Sequence, residues 1–269
     1  MTKITQNNSL RWLAPTITFG VFIGIWYLVS TVLLSPQKQF LLPRPDVVLT
    51  DGFLVWNSGS QRGFQSILES LWVTTQTAIV GLLITSVLGV GLALLMSMSS
   101  WVERATWPYL VALQAAPIIA LTPLIRALID DNNAQRLLVV VLIAFFPITS
   151  ATLHGLTSVP HDLHDLFTIQ RATNWQRLLK LKIPHSLPSL FLGLRTSAGL
   201  AVIGAVVGDF YFRRGGTVGI GAQIDLYRAQ LWGPELVAAV IMASCLGIFL
   251  FLFFTVLGNR VTGKWHKVS

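Results

Sequence analysis

Four of the five histidines, His154, His161, His164 and His185, fall in or beside one polar stretch. None stands in H-E-x-x-H spacing, and the single cysteine, Cys245, lies in a distant apolar run. No metal-ligand set is expected from that pattern. No Ser-His-Asp arrangement or carboxylate pair can be picked out by spacing, and the chain has only 11 Asp and Glu in all. The one glycine-rich run, Gly215-Gly216-Thr217-Val218-Gly219-Ile220-Gly221, lacks the Lys of a G-x-x-x-x-G-K-[ST] phosphate loop. It reads as a flexible turn. Catalytic residues, bound metal and bound nucleotide are therefore not expected of this chain.

A second group of polar residues sits in or at the ends of apolar runs. Arg126, Arg195 and Asp209 are costly in such places unless they face a cavity, pair, or reach an interface. Arg126 has Asp130 four residues on, the spacing of a local helical pair. Asp209 precedes Arg213 and Arg214, and local pairing is expected there too. Arg195 fits either an interfacial snorkel or a path residue. Gln114 is polar in mid-run, and Pro117, Pro123 and Pro147 would kink or break their helices. Broken helices are tolerated where backbone faces a cavity or where neighbours relieve the kink. Gln114, Pro117, Pro147 and Arg195 are the candidates for a solute path. Gly199, Gly204, Ala205 and Gly208 suit close helix packing.

These residues must be held by elements whose solvent is mostly lipid. Of 269 residues, 53 % are hydrophobic and only 11 % charged, with mean hydropathy +0.67. An average soluble domain is about 25 % charged, so a disordered chain, a collagen-like chain and an ordinary soluble enzyme are excluded. The net charge of +8 is spread between apolar runs, which makes it a topology signal and not a nucleic-acid face. A membrane span needs about 20 apolar helical residues. Six such runs occur, near 14–34, 73–97, 105–129, 137–156, 189–210 and 236–257. The third carries three prolines and Arg126. The runs are unbroken rather than alternating, so an all-α protein with six transmembrane helices is expected, not a β-barrel. The first run is about twice the length of a signal-peptide core and no A-x-A-like site follows it, so it reads as a retained helix.

With the N-terminus inside, ten loop Lys and Arg fall on the inner side and seven on the outer. Both termini are expected in the cytoplasm. Residues 1–13 form an inner N-terminal segment, 14–258 the membrane domain and 259–269 an inner tail. The outer stretch after the first span ends in Phe64, Ile67, Leu68 and Leu71 at helical spacing, which suits a helix along the membrane surface.

The inner loop 157–188 is the most informative stretch. Leu163, Leu166 and Phe167 fall at i, i+3, i+4, and Trp175, Leu178 and Leu179 repeat the pattern. Asp162 and Asp165 suit a helix start, and Thr173 with Gln176 has capping-box spacing. Pro184 is expected to stop the second helix. Two short amphipathic helices result. They could lie on lipid, or they could offer apolar anchors to the groove of a soluble partner.

This loop resembles the cytoplasmic loop of ABC-importer permeases, the inner-membrane components of binding-protein-dependent transport. That family's pattern is E-A-A, three residues, Gly, nine residues, Ile, one residue, Leu-Pro. Asp165-Leu166-Phe167 stands in the E-A-A place, Arg171 in the Gly place, and Leu181, Lys182, Ile183 and Pro184 complete the end. Gly193-Leu194-Arg195 and the run Gly199–Phe210 are similar to the branch for nitrate, sulfonates, taurine and pyrimidine- or riboflavin-type compounds, with a lean toward the last two. Val111-Ala112-Leu113-Gln114, Pro117-Ile118-Ile119-Ala120, Ala144-Phe145-Phe146-Pro147-Ile148 and Leu42-Pro43-Arg44-Pro45 fit the same branch.

The resemblance implies a type I importer subunit. A second permease, identical or a paralogue, would complete the pore. Separate ABC subunits would use ATP and Mg and dock on Asp165, Leu166, Phe167, Arg171, Trp175, Leu178, Leu181 and Pro184. An external binding protein would deliver the solute. The place implied is a bacterial inner membrane, in contact with lipid and not nucleic acid. Arg171 departs from the pattern, since an arginine at φ > 0 costs about 1 kcal/mol or more where glycine costs little. Either the turn differs here or a partner's charge offsets the strain. A self-contained channel or secondary carrier is the competing reading, although carriers more often show buried acids for ion coupling. A membrane-embedded enzyme would need a polar cluster at one depth, which spacing does not reveal.

Overall fold

A computed structural model describes residues 8–35, 39–57, 61–212 and 218–263. Among the described residues there are α-helices and π-helical turns, and no strand. The chain divides into two compact units, residues 1–68 with 223–241 and residues 69–222 with 242–269.

In chain order the helices are α1 (Asn8–Leu28), α2 (Pro45–Val47), α3 (Phe64–Met98), α4 (Ser100–Ala115), α5 (Ile118–Leu128) and α6 (Asn132–Thr157). They continue as α7 (His161–Ile169), α8 (Asn174–Arg177), α9 (Ile183–Tyr211), α10 (Ile220–Ala229) and α11 (Gly233–Thr262). Leu13–Leu33, α3, α6, Asn174–Tyr211 and α11 are each long and apolar enough to cross a bilayer. These match five of the six expected spans. The stretch 64–71 is no separate surface helix. It forms the first turns of the 35-residue α3, with Ile67 buried.

The remaining span, expected over 105–129, is two helices, α4 and α5, set at 103°. The break has a local cause. Pro117 cannot donate a backbone hydrogen bond, and the residue before a proline is driven out of the helical region. Ala116 is extended accordingly, at φ −66 and ψ 130. Despite the bend, the pair joins opposite ends of its unit. Ser100 and Arg104 of α4 share a cavity with His154 and Thr157 at the end of α6. Arg126 of α5 hydrogen-bonds the Tyr211 carbonyl and stacks over Phe212, at the other end of α9. The expected Arg126–Asp130 pair does not form, because the guanidinium reaches across to α9.

The core of this unit is a seam between α6 and α9. A Cβ added to Gly204 would lie 2.9 Å from Val140 Cα, and one on Gly208 would lie 3.1 Å from Arg136 Cα. Ala144, Ala198, Ala201 and Ala205 are fully buried beside them, and the Ser197 hydroxyl donates to the Ala144 carbonyl at 2.8 Å. Small residues let the backbones touch, which is how helices gain packing where lipid is the solvent. Gly204, Ala205 and Gly208 act as expected. Gly199 does not, having open space where its side chain would be.

In the first unit, Trp26 donates to the Pro43 carbonyl at 3.0 Å, and Arg62 pairs with the buried Glu235 at 2.5 Å while stacking over Trp232. Tyr227 is fully buried nearby, and burial pushes its phenol pKa up.

Candidate functional site

The loop between α6 and α9 folds largely as its pattern predicts. α7 starts after Pro160, with Asp162 in its first turn. The capping box is present in full: the Thr173 hydroxyl accepts from Gln176 N–H, and the Gln176 side chain accepts from Thr173 N–H. The turn between the helices carries Arg171 at φ 51, in the left-handed region. Arg171 N–H donates to the Thr168 carbonyl, and Ala172 N–H reaches back to the Phe167 carbonyl, both at 2.9 Å. This is a Schellman turn, whose left-handed residue is usually glycine. The glycine-type turn is kept although the glycine is not.

Pro184 does not stop the second helix. α8 continues through a π-helical turn, Leu178–Lys182, into α9, giving one helical path from Asn174 to Tyr211. Pro184 sits in the first turn of α9, and the wider π turn before it absorbs the register change. Lys182 donates to the Ser97 carbonyl at 2.7 Å, tying this junction to the end of α3.

The eight loop candidates divide by exposure. Asp165, Leu166, Arg171 and Trp175 are exposed, Phe167 and Pro184 are half-buried, and Leu178 and Leu181 are buried. The last two are turned into the loop's own packing. Ile169, which spacing did not single out, is 82 % exposed, and with Leu166 (50 %) and Trp175 (60 %) it makes the end of the loop an uncovered apolar tip. Its signal was present as the i+3 continuation from Leu166.

At the opposite end of the same unit lies a buried polar network. Asp209 on α9 faces Arg136 on α6, with Oδ1 3.6 Å from the guanidinium Nε. Thr74 of α3 donates to Asp209 Oδ2 at 2.5 Å and accepts from Ile220 N–H at 2.8 Å. Asp209 thus pairs with a neighbouring helix; Arg213 and Arg214, its expected partners, lie outside the described residues. Gly219 is obligatory here: a Cβ would fall 2.0 Å from the Asp209 carboxylate. The described part of the glycine-rich run is therefore packed into this end, not a free turn. Two buried acids, Asp209 and Glu235, thus exist where few were expected, and each faces an arginine.

The four path candidates are not gathered on one surface. Gln114 and Pro117 are exposed at the α4–α5 break. Pro147 lies in the α6–α9 seam, with its carbonyl against Gly193. Arg195 is half-buried and turns toward α11, its guanidinium 5.7 Å from the Phe251 ring centre. Beside it on α9, Thr196, Gly199 and Ile203 form an uncovered stripe that spacing alone did not single out. A cavity of about 690 Å³ opens between α4 and α6 at the loop end, with Glu103, Arg104 and His154 on its wall.

The profile of a family described as binding-protein-dependent transport system inner membrane component matches residues 85–263. The chain is 34 % identical to a formylaminopyrimidine transport permease protein of Halalkalibacterium halodurans, over 97 % of this chain and 99 % of that one. It is 32 % identical to a riboflavin transport system permease protein of Chloroflexus aurantiacus, over 98 % and 95 %. A nitrate import permease protein of Leptolyngbya laminosa is 26 % identical over 97 % and 91 %.

Proposed function

The chain belongs to the family of inner membrane components of binding-protein-dependent transport systems, and from that premise we propose that it forms one half of an ATP-driven importer for a small heteroaromatic solute, pyrimidine- or riboflavin-like. A second permease subunit completes the pore. An external binding protein delivers the solute, and separate ATPase subunits dock on α7 and α8 from the cytoplasm, where both termini also lie.

The single observation that carries the docking is the uncovered tip of Leu166, Ile169 and Trp175, held on a capped turn and continuous with a span. Exposed apolar side chains at helical spacing are what a groove on a soluble partner takes up. Closure of the ATPases would push this tip, and the unbroken path from Asn174 to Tyr211 carries the displacement to Asp209. The spans then reorient between two states. The path follows the α4–α5 break, with Gln114 and Pro117, and the open stripe of Thr196, Gly199 and Ile203; Pro147 and Arg195 flank it. The lean to heteroaromatic solutes rests on the higher identity to the formylaminopyrimidine and riboflavin permeases than to the nitrate permease.

The test is reconstitution of the permease with its ATPase and binding protein in liposomes. A formylaminopyrimidine or riboflavin is expected to raise ATP hydrolysis and enter the vesicles, and nitrate is expected to do neither. Uptake by the permease without ATPase would overturn the importer reading in favour of a self-contained channel or carrier.

A further inference from the structure

Arg195 is the one guanidinium within α9. Tyr211, at the far end of that helix, lies sixteen positions on. At 1.5 Å per residue this is about 24 Å, against a hydrocarbon core of about 30 Å. A span counted from Tyr211 would therefore still contain Arg195, toward the end of α9 that carries α7 and α8. A guanidinium has five donors and cannot shed its charge. Among the described residues no hydrogen bond or ion pair reaches it, and it stacks over the face of Phe251. None of the described residues supplies its acceptors.

The surroundings say what kind of group would supply them. Arg195 opens into a groove of about 280 Å³ between α9 and α11, walled by Phe191, Phe254, Thr255, Asn259 and Thr262. Gly258 lets α11 close on Phe191, since a Cβ there would fall 2.9 Å from the Phe191 Cβ. Thr255 and Thr262 donate their hydroxyl protons to the Phe251 and Gly258 carbonyls, both at 2.8 Å. Their oxygens can still accept. Asn259 is exposed at the mouth, and its amide both donates and accepts. The groove thus offers a fixed positive charge, an amide, two hydroxyl acceptors and aromatic walls.

We propose that this groove holds the headgroup of an anionic phospholipid of the phosphatidylglycerol type. Arg195 and Asn259 donate to the phosphate, Thr255 and Thr262 accept from the headgroup hydroxyls, and Phe191 and Phe254 flank the first methylenes. An ethanolamine lipid fits less well, because its ammonium group would stand beside the guanidinium. Arg195 borders the proposed solute path, but the groove faces α11, and the site stands whether or not the importer reading does.

Native mass spectrometry of the full-length protein, with phosphatidylglycerol or phosphatidylethanolamine added, tests it. The wild-type chain is expected to hold phosphatidylglycerol about tenfold more tightly, the scale of one charge-assisted hydrogen bond. Arg195→Gln should abolish that preference, and Asn259→Leu, at an exposed position that spares the fold, should reduce it. Equal binding of both lipids by the wild type, or an undiminished preference in both variants, would overturn the proposal. So would displacement of the lipid by inorganic phosphate at matched concentration, which would make this a site for a soluble anion. A photo-crosslinker placed at residue 259 should capture lipid. Capture of a second copy of the chain would mark the groove as a subunit interface instead.

Discussion

Arg171 shows how much a single residue can store. It occupies the left-handed position of a Schellman turn at φ 51, and its side chain is exposed without a partner among the described residues. Glycine would adopt that conformation at little cost, whereas an L side chain loses about 1 kcal/mol or more. Arg171→Gly is therefore expected to stabilise the isolated permease by about 1 kcal/mol, read as a higher melting temperature in detergent. If an acidic group on the ATPase offsets the strain, the same variant should also lose affinity for the ATPase. An unchanged or lower melting temperature would mean that the turn relaxes in some other way. Asp209 is the opposite case, with its charge buried and answered by Arg136 and Thr74. Asp209→Ala leaves the guanidinium buried without this carboxylate, and breaking a buried pair costs about 3–5 kcal/mol. Asp209→Leu combined with Arg136→Met should recover much of the loss. Thermal unfolding of the three variants decides it: a double variant no better than the single one would show that Arg136 does not depend on this carboxylate.

The amphipathic periods, the capping box and the long apolar runs were legible in the chain because each is set by local spacing. What spacing could not reveal depended on neighbours. Pro184 reads as a stop, yet a proline in the first turn of a helix costs nothing, and the π turn at Leu178–Lys182 carries the path through it. Leu178 reads as a docking anchor from its stripe with Trp175, and Leu181 from the resemblance to the family loop, but folding turns both inward. Arg136 reads as an outer-loop charge until α9 brings Asp209 against it. The continuity of α8 with α9 carries its own consequence. Leu179 and Lys180 are exposed within the π turn, so glycines there loosen the joint without opening the core. Each costs about 1 kcal/mol of helix propensity. Leu179→Gly with Lys180→Gly is expected to leave ATPase binding intact while transport per ATP hydrolysed falls. The contrast is Trp175→Asp, which should weaken co-purification of the ATPase itself. Leu178→Asp would be a poor probe, because a buried charge there damages the loop before any partner is met. A full transport-to-hydrolysis ratio in the glycine variant would remove the joint from the coupling path.

At the scale of the whole molecule, the sidedness of the chain turns on the bent pair α4–α5. Its two ends lie at opposite ends of α6, beside His154 and Thr157 at one and beside Tyr211 and Phe212 at the other. A bend of 103° alone would also suit a re-entrant hairpin, in which the chain returns to the side it left. Under that topology every loop after Ile118 would change sides, and α7 and α8 would face outward, away from any cytosolic ATPase. The contacts at the two ends favour a crossing. Labelling by a membrane-impermeant thiol reagent separates the cases, in a Cys245→Ser background because Cys245 is exposed. Asp130→Cys and Trp175→Cys replace exposed residues that follow α5 and begin α8. In intact cells with a permeable outer envelope, the first variant is expected to react and the second to stay unlabelled; inverted vesicles should reverse both. If Trp175→Cys reacts from outside, or if both variants react from one side, the crossing fails, and with it the cytoplasmic docking on which the proposed import rests.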